Sequence, residues 1–541
     1  MARDQVNGSA PGAVSDAGAS GQAAVAAGRR ADRMPWLIAL AVFAAYAVIS
    51  GYRYLRLQPT SWDLGIFTEY VKRYAHLQAP IVDARTPGMN LLGDHFHPIV
   101  ALLAPFFRLF PSPATLLIAQ ALLAAISVIP VSRAAGLRLG TGAGRAIGAA
   151  YGLSWGLQQM VDNDFHEIAF AVPLLAFSLS ALIRGRVRAA VVWALPLVLV
   201  KEDQGFTVAA IGLIIAFGYR HRIAGLALAA WGLIWSLVSI TVLIPQFSPT
   251  HAYLYWSLGG DIGEPGHRAS PAGLLHQLFA SSDVKLPTLV MILLPTAFLA
   301  LRSPVVLAIL PSLALRFIAT NSSYWTTQWH YNATVMPIVF IAAIDGMSRI
   351  RAARNAAGIG VNGGPPAART TAGIGMNGGP PARARAPGAV RWAGSDATRW
   401  AGRVAGQAER HGAAMMLAIC AALAFQFPLA SLWSPQTYQL GPHVAAARAA
   451  MALVPDGSTV ATDIDLLAPL GARADAFWLG NAATWLGHRG NPATRYVVYD
   501  QTAADLPAPS GTALSYVESL SRGVRYRQIY QQNGIFVFIR S

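Results

Sequence analysis

The stretch ATLLIAQALLAAISVIPVSRAA, residues 114–135, has no charged residue before Arg133 and is long enough to cross a bilayer as a helix. Similar apolar runs recur along the chain of 541 residues, of which 54% are hydrophobic and 12% are charged. A soluble globular protein carries roughly 25% charged residues. The composition therefore predicts a mainly α-helical, polytopic membrane protein.

The apolar runs predict about eleven membrane spans. Their approximate bounds are 35–52, 114–135, 145–161, 167–183, 188–202, 204–219, 223–244, 286–301, 304–320, 333–348 and 413–434.

The distribution of arginine indicates the orientation of these spans. The net charge is +16, and most of the positive charge lies in short loops between apolar runs, so we interpret it as a topology signal rather than as a nucleic-acid surface. Placing the N-terminus inside puts nearly every arginine cluster on the cytoplasmic side. The predicted outer loops 162–166 and 321–332 contain neither lysine nor arginine. The odd number of spans then places the C-terminus outside.

Two segments are expected to lack a packed core. Residues 1–34 are rich in Ala, Gly and Ser, which predicts a disordered cytoplasmic N-terminus. Residues 349–412 are rich in Arg, Gly and Pro, and GIGVNGGPPA (358–367) recurs as GIGMNGGPPA (373–382). We interpret this second segment as a flexible cytoplasmic linker between a membrane domain, 35–348, and the last span, 413–434.

Residues 435–541 have a different pattern. Asn533-Gly534 favours a hairpin turn, and a helical stretch is expected at 513–523. The segment therefore predicts a small α/β domain outside the membrane. Its strand-like stretches are STVAT (458–462), RYVVYD (495–500) and GIFVFIR (534–540).

The first outer loop, 53–113, is too long to be a simple connection. Asp63 lies near the start of a predicted amphipathic helix, where it would also favour the helix dipole. GDHFHP follows with Asp94, His95 and His97. Residues 96–111 contain two internal prolines and read as a helix lying in the membrane interface.

Further polar side chains follow at the outer ends of later spans. We expect one outward-facing polar site assembled from these loops, although each member also has a purely structural interpretation as a loop acid, a solvated histidine or part of an interfacial aromatic belt. Arg316, one helical turn from the last of these loops, would either reach outward or bind a phosphate. The members are Asp164, His166 and Glu167; Lys201, Glu202 and Asp203; and His330.

These stretches resemble, in order, the motifs of a bacterial membrane family, domain of unknown function family 2079. The resemblance covers about 36–348 and 413–541. It is carried by SWDLGIFTEYV (61–71), NLLGDHFHPIVALLAPFF (90–107), DFHEIAFAVPLL (164–175), LVKEDQGF (199–206), WHYNATVMPIVF (329–340) and VPDGSTVAT…RYVVYD (454–500).

That family is in turn similar to the GT-C class of integral membrane glycosyltransferases. The similarity implies a GT-C-like helical architecture, a polyprenyl-linked sugar donor, an acceptor that is an envelope glycan, lipid or protein, and a site on the outer face of the plasma membrane. Asp63 matches the acid at the start of the first outer loop in that class, although no Asp-X-Asp or Asp-Glu pair stands here. Asp63 would then be the general base.

The leaving lipid phosphate would need positive charge. Lys201 and Arg316 are candidates for binding it. A divalent ion is the alternative, held by Asp94, His95, His166 and Glu202. Carboxylates would favour magnesium or manganese, and histidines would also allow zinc.

Two other classes of function remain open on sequence grounds. A transporter or flippase would favour paired repeats and polar residues at mid-membrane, and neither is evident here. A non-catalytic envelope assembly protein would bind through its outer domain and would tolerate Asp63→Asn.

Overall fold

A computed structural model describes residues 32–253, 255, 271–356, 411–481, 494–503, 505, 512–520 and 524–541. The described chain is mainly helical, with one small sheet. The helices up to the first undescribed internal segment are α1 (Met34–Leu55), α2 (Asp63–Ala75), α3 (Ala104–Leu109), α4 (Pro113–Leu139), α5 (Thr141–Gly152), α6 (Trp155–Asp162), α7 (Ala171–Ile183), α8 (Val187–Ala194), α9 (Gln204–Leu213), α10 (Arg222–Val238) and α11 (Ile244–Phe247). Those that follow are α12 (Pro271–Phe279), α13 (Ser282–Leu293), α14 (Leu310–Ile318), α15 (Val335–Ala356), α16 (His411–Ala424), α17 (Pro442–Ala452), α18 (Ile464–Gly471) and α19 (Ala513–Leu520).

Within the described residues, three helical segments are long and apolar enough to cross a membrane alone: Met34–Leu55, Pro113–Leu139 and Arg222–Phe247. The described residues also contain two bent helix pairs, Ala272–Phe279 with Ser282–Thr296 and Ser322–Asn332 with Val335–Ala356, which raise the number to five if each pair is counted as one span. The count of about eleven therefore remains a prediction.

Several predicted spans are interrupted, and proline explains one of the interruptions. The predicted span 188–202 is an α-helix only over Val187–Ala194 and continues as a 3₁₀ turn over Leu195–Leu199. Pro196 has no N–H and clashes with the preceding turn, which ends the α-helical hydrogen bonding. The predicted span 145–161 is likewise divided into α5 and α6.

The predicted interfacial helix 96–111 is a 3₁₀ turn, Pro98–Leu103, followed by the short helix α3. Its Phe107 is buried, whereas Leu102, Phe106 and Leu109 are exposed. An exposed apolar side on a short surface helix suits contact with lipid.

The sheet has strand order β2-β1-β3-β5-β4. Strands β1 (Thr459–Thr462), β2 (Asp475–Trp478) and β3 (Tyr496–Asp500) are parallel, while β5 (Ile535–Arg540) is antiparallel to both β3 and β4 (Tyr526–Gln532). Asn533 and Gly534 both have positive φ, at 46° and 81°, which is the geometry that a two-residue hairpin loop requires. The α/β arrangement thus combines a parallel core with a C-terminal hairpin.

This α/β unit packs directly against α2, the helix that begins with Asp63. Gly65 on α2 lies so close to Leu467 on α18 that an added Cβ would be 2.6 Å from the leucine Cγ. The rings of Trp62 and Trp478 are 4.5 Å apart. Glycine at 65 therefore permits the close approach, and the α/β unit helps to fix the position of Asp63.

Candidate functional site

Asp63 is the first residue of α2, and its carboxylate is anchored from two sides. The hydroxyl of Ser61 donates to its Oδ2 at 2.5 Å, and Nε2 of His166 lies 3.4 Å from the same oxygen. The side chain remains 30% exposed, so the carboxylate is accessible. Burial alone would raise the pKa of Asp63, but His166, Ser61 and Lys201 together hold it below its usual value. Asp63 is therefore ionised at neutral pH.

His166 stacks on His330, with ring centroids 3.5 Å apart and planes inclined by 27°. Both side chains are buried, and neither Nδ1 has a hydrogen-bond partner within the described residues. Gln120 fixes His166 by accepting a hydrogen bond from its backbone N–H at 3.0 Å. The stacked pair reaches from Asp63 towards a neighbouring cavity, which His330 lines.

Asp164 has a different position from the one expected of a site acid. Its Oδ2 accepts a hydrogen bond from the Thr60 N–H at 2.7 Å, which ties the start of the first loop to the 162–166 loop. Its backbone is in the left-handed region, with φ of 59°. Burial raises the pKa of Asp164 to about 6. We assign it to holding the loops together.

The sequence KED, residues 201–203, supplies three side chains that have different partners. Lys201 Nζ is 3.0 Å from Glu167 Oε1, and both are largely buried. Glu202 Oε1 is 2.7 Å from His95 Nδ1, and its Oε2 accepts from the Phe96 N–H at 3.1 Å. Asp203 accepts a hydrogen bond from the amide of the adjacent Gln204. The cation of this loop is thus neutralised by a neighbouring acid.

The GDHFHP side chains point to separate partners. Asp94 accepts from Arg85 Nε and from the Tyr255 hydroxyl, each at 3.1 Å. Burial and Lys201 would lower the pKa of His95, but Glu202 and Asp94 raise it above its usual value. His97 lies 3.2 Å from the Tyr70 hydroxyl, and burial lowers its pKa to about 4. His95 is therefore paired with Glu202, whereas His97 is a neutral packing residue.

The four predicted metal ligands are not gathered in one place. Asp94 pairs with Arg85, His95 pairs with Glu202, and His166 faces Asp63. Among the residues whose positions are described, no three His, Cys, Asp or Glu side chains form a group that could hold a metal ion. The arrangement does not fit a four-ligand centre, so we derive no step through a metal.

A cavity of about 290 Å³ lies beside the stacked histidines. Polar groups gather on one part of its wall and apolar side chains on the rest. The polar lining includes His95, Lys201, Glu202, Asp203, Tyr253, Tyr255, Arg316, Tyr324, His330 and Tyr331, and the apolar lining includes Ile168, Phe206, Ile240 and Leu315.

Arg316 is the unusual charge in this cavity. It is buried, and its guanidinium donates only to neutral groups: the Tyr324 carbonyl at 2.9 Å, Asn332 Oδ1 at 3.0 Å and the Tyr331 carbonyl at 3.4 Å. No described carboxylate lies within 4.0 Å of it, and its Nη2 is buried without a partner in the part of the chain that the structure covers. A buried cation without a counter-ion is costly unless an anion binds beside it.

Several residues of the site were not anticipated from the sequence. Arg85 lies in an irregular segment, and Tyr253 and Tyr255 lie in a stretch of sequence where no periodicity marks them. Gln120 offered a signal, because it is a polar residue inside an otherwise apolar run.

Comparison with known proteins identifies the family. The family described as predicted membrane protein DUF2079 matches residues 53–359. No curated protein matches the chain. Among solved structures, ArnT from Cupriavidus metallidurans, bound to undecaprenyl phosphate and in the apo state, aligns in each case with 14% identity and a TM-score of 0.48, over 92% of this chain and 97% of that one. A similarity of that degree carries no argument about activity. The chain belongs to the DUF2079 family of membrane proteins.

Proposed function

We propose that this protein is an integral membrane glycosyltransferase that moves a sugar from a polyprenyl-phosphate donor to an acceptor on the outer face of the membrane. The observation that carries the proposal is the juxtaposition of two half-sites. The accessible carboxylate of Asp63 and the cavity containing Arg316 are joined by the stacked rings of His166 and His330.

Asp63 would act as the general base. It takes the proton from an acceptor hydroxyl as that oxygen forms a bond to the anomeric carbon of the sugar. The bond from the anomeric carbon to the phosphate oxygen breaks, and the electron pair leaves with the lipid phosphate. The low pKa of Asp63 keeps it in the form that accepts a proton. His166 would hold the carboxylate in place.

Arg316 would bind the phosphate of the donor and of the leaving group. Its planar guanidinium suits phosphate oxygens, and its unpartnered Nη2 is available for a charge-assisted hydrogen bond. Lys201 would contribute less, because Glu167 already balances its charge. One cation without a counter-ion matches the single negative charge of the phosphodiester that joins the sugar to the lipid. The apolar wall around Leu315 and Ile240 would receive the first part of the lipid chain.

The proposal includes a topology. It takes about eleven spans, with the N-terminus inside and residues 435–541 outside in a GT-C-like arrangement. The packing of the α/β unit on α2 supports placing that unit beside the acceptor. A magnesium, manganese or zinc ion remains a prediction from the sequence alone.

The test is complementation of a deletion strain with wild type or Asp63→Asn at matched membrane levels. Envelope glycans and polyprenyl-linked sugars are then compared by mass spectrometry. We expect a glycan to disappear in the deletion, its lipid-linked donor to accumulate, and wild type alone to reverse both. Losing a general base costs on the order of 10²–10⁴ in rate.

Asp83→Asn is the matched control, because Asp83 is an acid of the same loop that pairs with Arg73 away from the cavity. We expect it to complement as wild type does. Full complementation by Asp63→Asn would contradict the base assignment and favour a transporter or an assembly protein instead.

A further inference from the structure

A second cleft lies away from Asp63, and it is lined by arginines. It has a volume of about 500 Å³ and is bordered by the end of α4, the turn after α7 and the residue after the π-helical turn Ile214–Gly218. We call it the arginine cleft. Its lining residues are Leu137, Arg138, Ile183, Arg184, Gly185, Arg186 and Tyr219.

Helix α4 shows that the arginine cleft is at the opposite end of the bundle from the proposed site. Gln120, near one end of α4, holds the backbone of His166. Arg138 follows eighteen residues later, which is about 27 Å along a helix. The cleft is therefore separate from the cavity around Arg316.

The charges of the cleft are not balanced. Arg184 donates to the Ser180 carbonyl at 2.9 Å. Neither Arg184 nor Arg186 has a carboxylate within 4.0 Å in the described ranges. Burial and the like charges of Arg186 and Arg133 lower the pKa of Arg184. Two arginines thus face a common space with no acid between them.

The nearby acid is already engaged. Asp345 is buried, and its Oδ2 is 2.6 Å from Arg349 Nε and accepts from the Ser303 hydroxyl at 2.7 Å. Arg138 approaches Asp345 only to 3.9 Å and donates instead to the Ile183 carbonyl. Asp345 therefore leaves Arg184 and Arg186 without a counter-charge.

The backbone holds the two arginines on either side of a tight turn. Gly185 has φ of 75°, which a residue with a Cβ adopts only with strain. Arg184 is the C-cap residue that follows α7, and Arg186 precedes α8. The turn therefore presents two guanidinium groups from positions two residues apart, while Leu137 adds an exposed apolar edge.

We propose that the arginine cleft binds the phosphate group of an anionic membrane lipid, with Arg184 and Arg186 contacting the phosphate oxygens. The exposed apolar edge at Leu137 favours a lipid over free phosphate. Basic pockets between helices on the cytoplasmic side recognise anionic head groups in this way. The inference does not depend on the proposed glycosyltransferase activity.

The test uses the purified full-length protein in detergent and native mass spectrometry. The probes are phosphatidylglycerol, phosphatidylcholine with the same acyl chains, and inorganic phosphate. The variant is Arg184→Gln/Arg186→Gln. The control Arg145→Gln/Arg188→Gln removes two other positive charges from the same end of the bundle without altering the cleft lining.

We expect wild type to retain phosphatidylglycerol at least tenfold better than phosphatidylcholine. At about 1 kcal/mol for each arginine near the surface, the cleft variant should bind phosphatidylglycerol about thirtyfold more weakly. The control should change by less than about threefold. Arg186→Gln alone, at an exposed position, serves if the double variant does not fold, and it should lose about fivefold.

Equal losses in the cleft variant and the control would overturn the proposal, because a general positive field would then explain the binding. Equal retention of the two lipids by wild type would also overturn it. A third outcome is that millimolar inorganic phosphate displaces phosphatidylglycerol and that the cleft variant loses phosphate binding. This outcome would show that the cleft binds free phosphate, and it would overturn the proposal of a lipid ligand.

Discussion

Two parts of the wall of the same cavity differ in whether their buried charges have partners of opposite sign. On the wall formed by the KED loop, Lys201 is paired with Glu167 at 3.0 Å, and Glu202 is paired with His95 at 2.7 Å. On another part of the wall, Arg316 donates, among the described residues, only to carbonyl and amide oxygens. Lys201 and His95 thus each have a carboxylate as partner, whereas Arg316 has none within the described residues.

This difference separates residues that maintain the cavity from residues that would bind a ligand. Removing one partner of a buried ion pair destabilises the folded protein, because the remaining charge stays buried without a counter-ion. A folded protein with an unpaired buried cation is stabilised when an anion binds beside that cation. The predictions for Lys201 and Arg316 test this distinction, and a prediction for Glu69 tests an excess of buried acid elsewhere.

The largest effect on stability is expected from Lys201→Gln. The substitution leaves Glu167 buried without its cation, which costs about 3–5 kcal/mol. The measurement is the unfolding temperature in detergent. The double variant Glu167→Gln/Lys201→Gln should recover most of the loss, because it leaves no unpaired charge. An unchanged unfolding temperature for Lys201→Gln alone would contradict the pairing.

Around helix α2 the charge imbalance is the opposite one, because several carboxylates share one arginine. Glu69 is fully buried and shares Arg73 with Asp83 and Asp475, at 3.2–3.4 Å. Burial and the negative charge of Asp83 raise the pKa of Glu69 to about 7.

A raised acid pKa in the folded state means that the native protein binds the proton more tightly. Stability from this group is complete below pH 4.5 and is lost as the pH rises towards about 7. Glu69→Gln should flatten this part of the pH profile of the unfolding temperature. Asp456→Asn, at an exposed position, should leave the profile as in wild type. Parallel profiles for wild type and Glu69→Gln would show that the carboxyl is not the titrating group.

A smaller effect on stability is expected from Arg316→Gln. It removes hydrogen bonds to Tyr324 and Asn332, at about 1–3 kcal/mol, but strands no charge. The unfolding temperature should therefore fall less than in Lys201→Gln. A larger fall than that of Lys201→Gln would mean that Arg316 is a structural residue.

Sequence patterns predicted the helical character, the membrane class and the loops whose side chains meet. They could not predict which side chains pair. Asp94 and His95 are neighbours in sequence, yet one contacts Arg85 and the other contacts Glu202. A sequence pattern can place residues on a loop. The direction of each side chain depends on how irregular segments pack, and such segments show no hydrophobic periodicity from which it could be predicted.

The helix breaks show the same limit. The apolar run 188–202 is continuous in composition, and only Pro196 within it marks the change from α-helix to 3₁₀ turn. Strand β2, Asp475–Trp478, was not predicted, because Asp and Ala, which are depleted in strands, occupy two of its four positions. Short elements depend on their neighbours more than on their own sequence.

The most direct measurement of the central claim is the affinity of the purified protein for a short-chain polyprenyl phosphate. Wild type is compared with Arg316→Gln, with Arg316→Lys and with the control Arg302→Gln, which replaces an exposed arginine outside the cavity lining. We expect Arg316→Gln to bind about ten- to a hundredfold more weakly, Arg316→Lys to be intermediate, and Arg302→Gln to match wild type. Wild-type affinity in Arg316→Gln, or an equal loss in Glu167→Gln/Lys201→Gln, would contradict the account of the two walls.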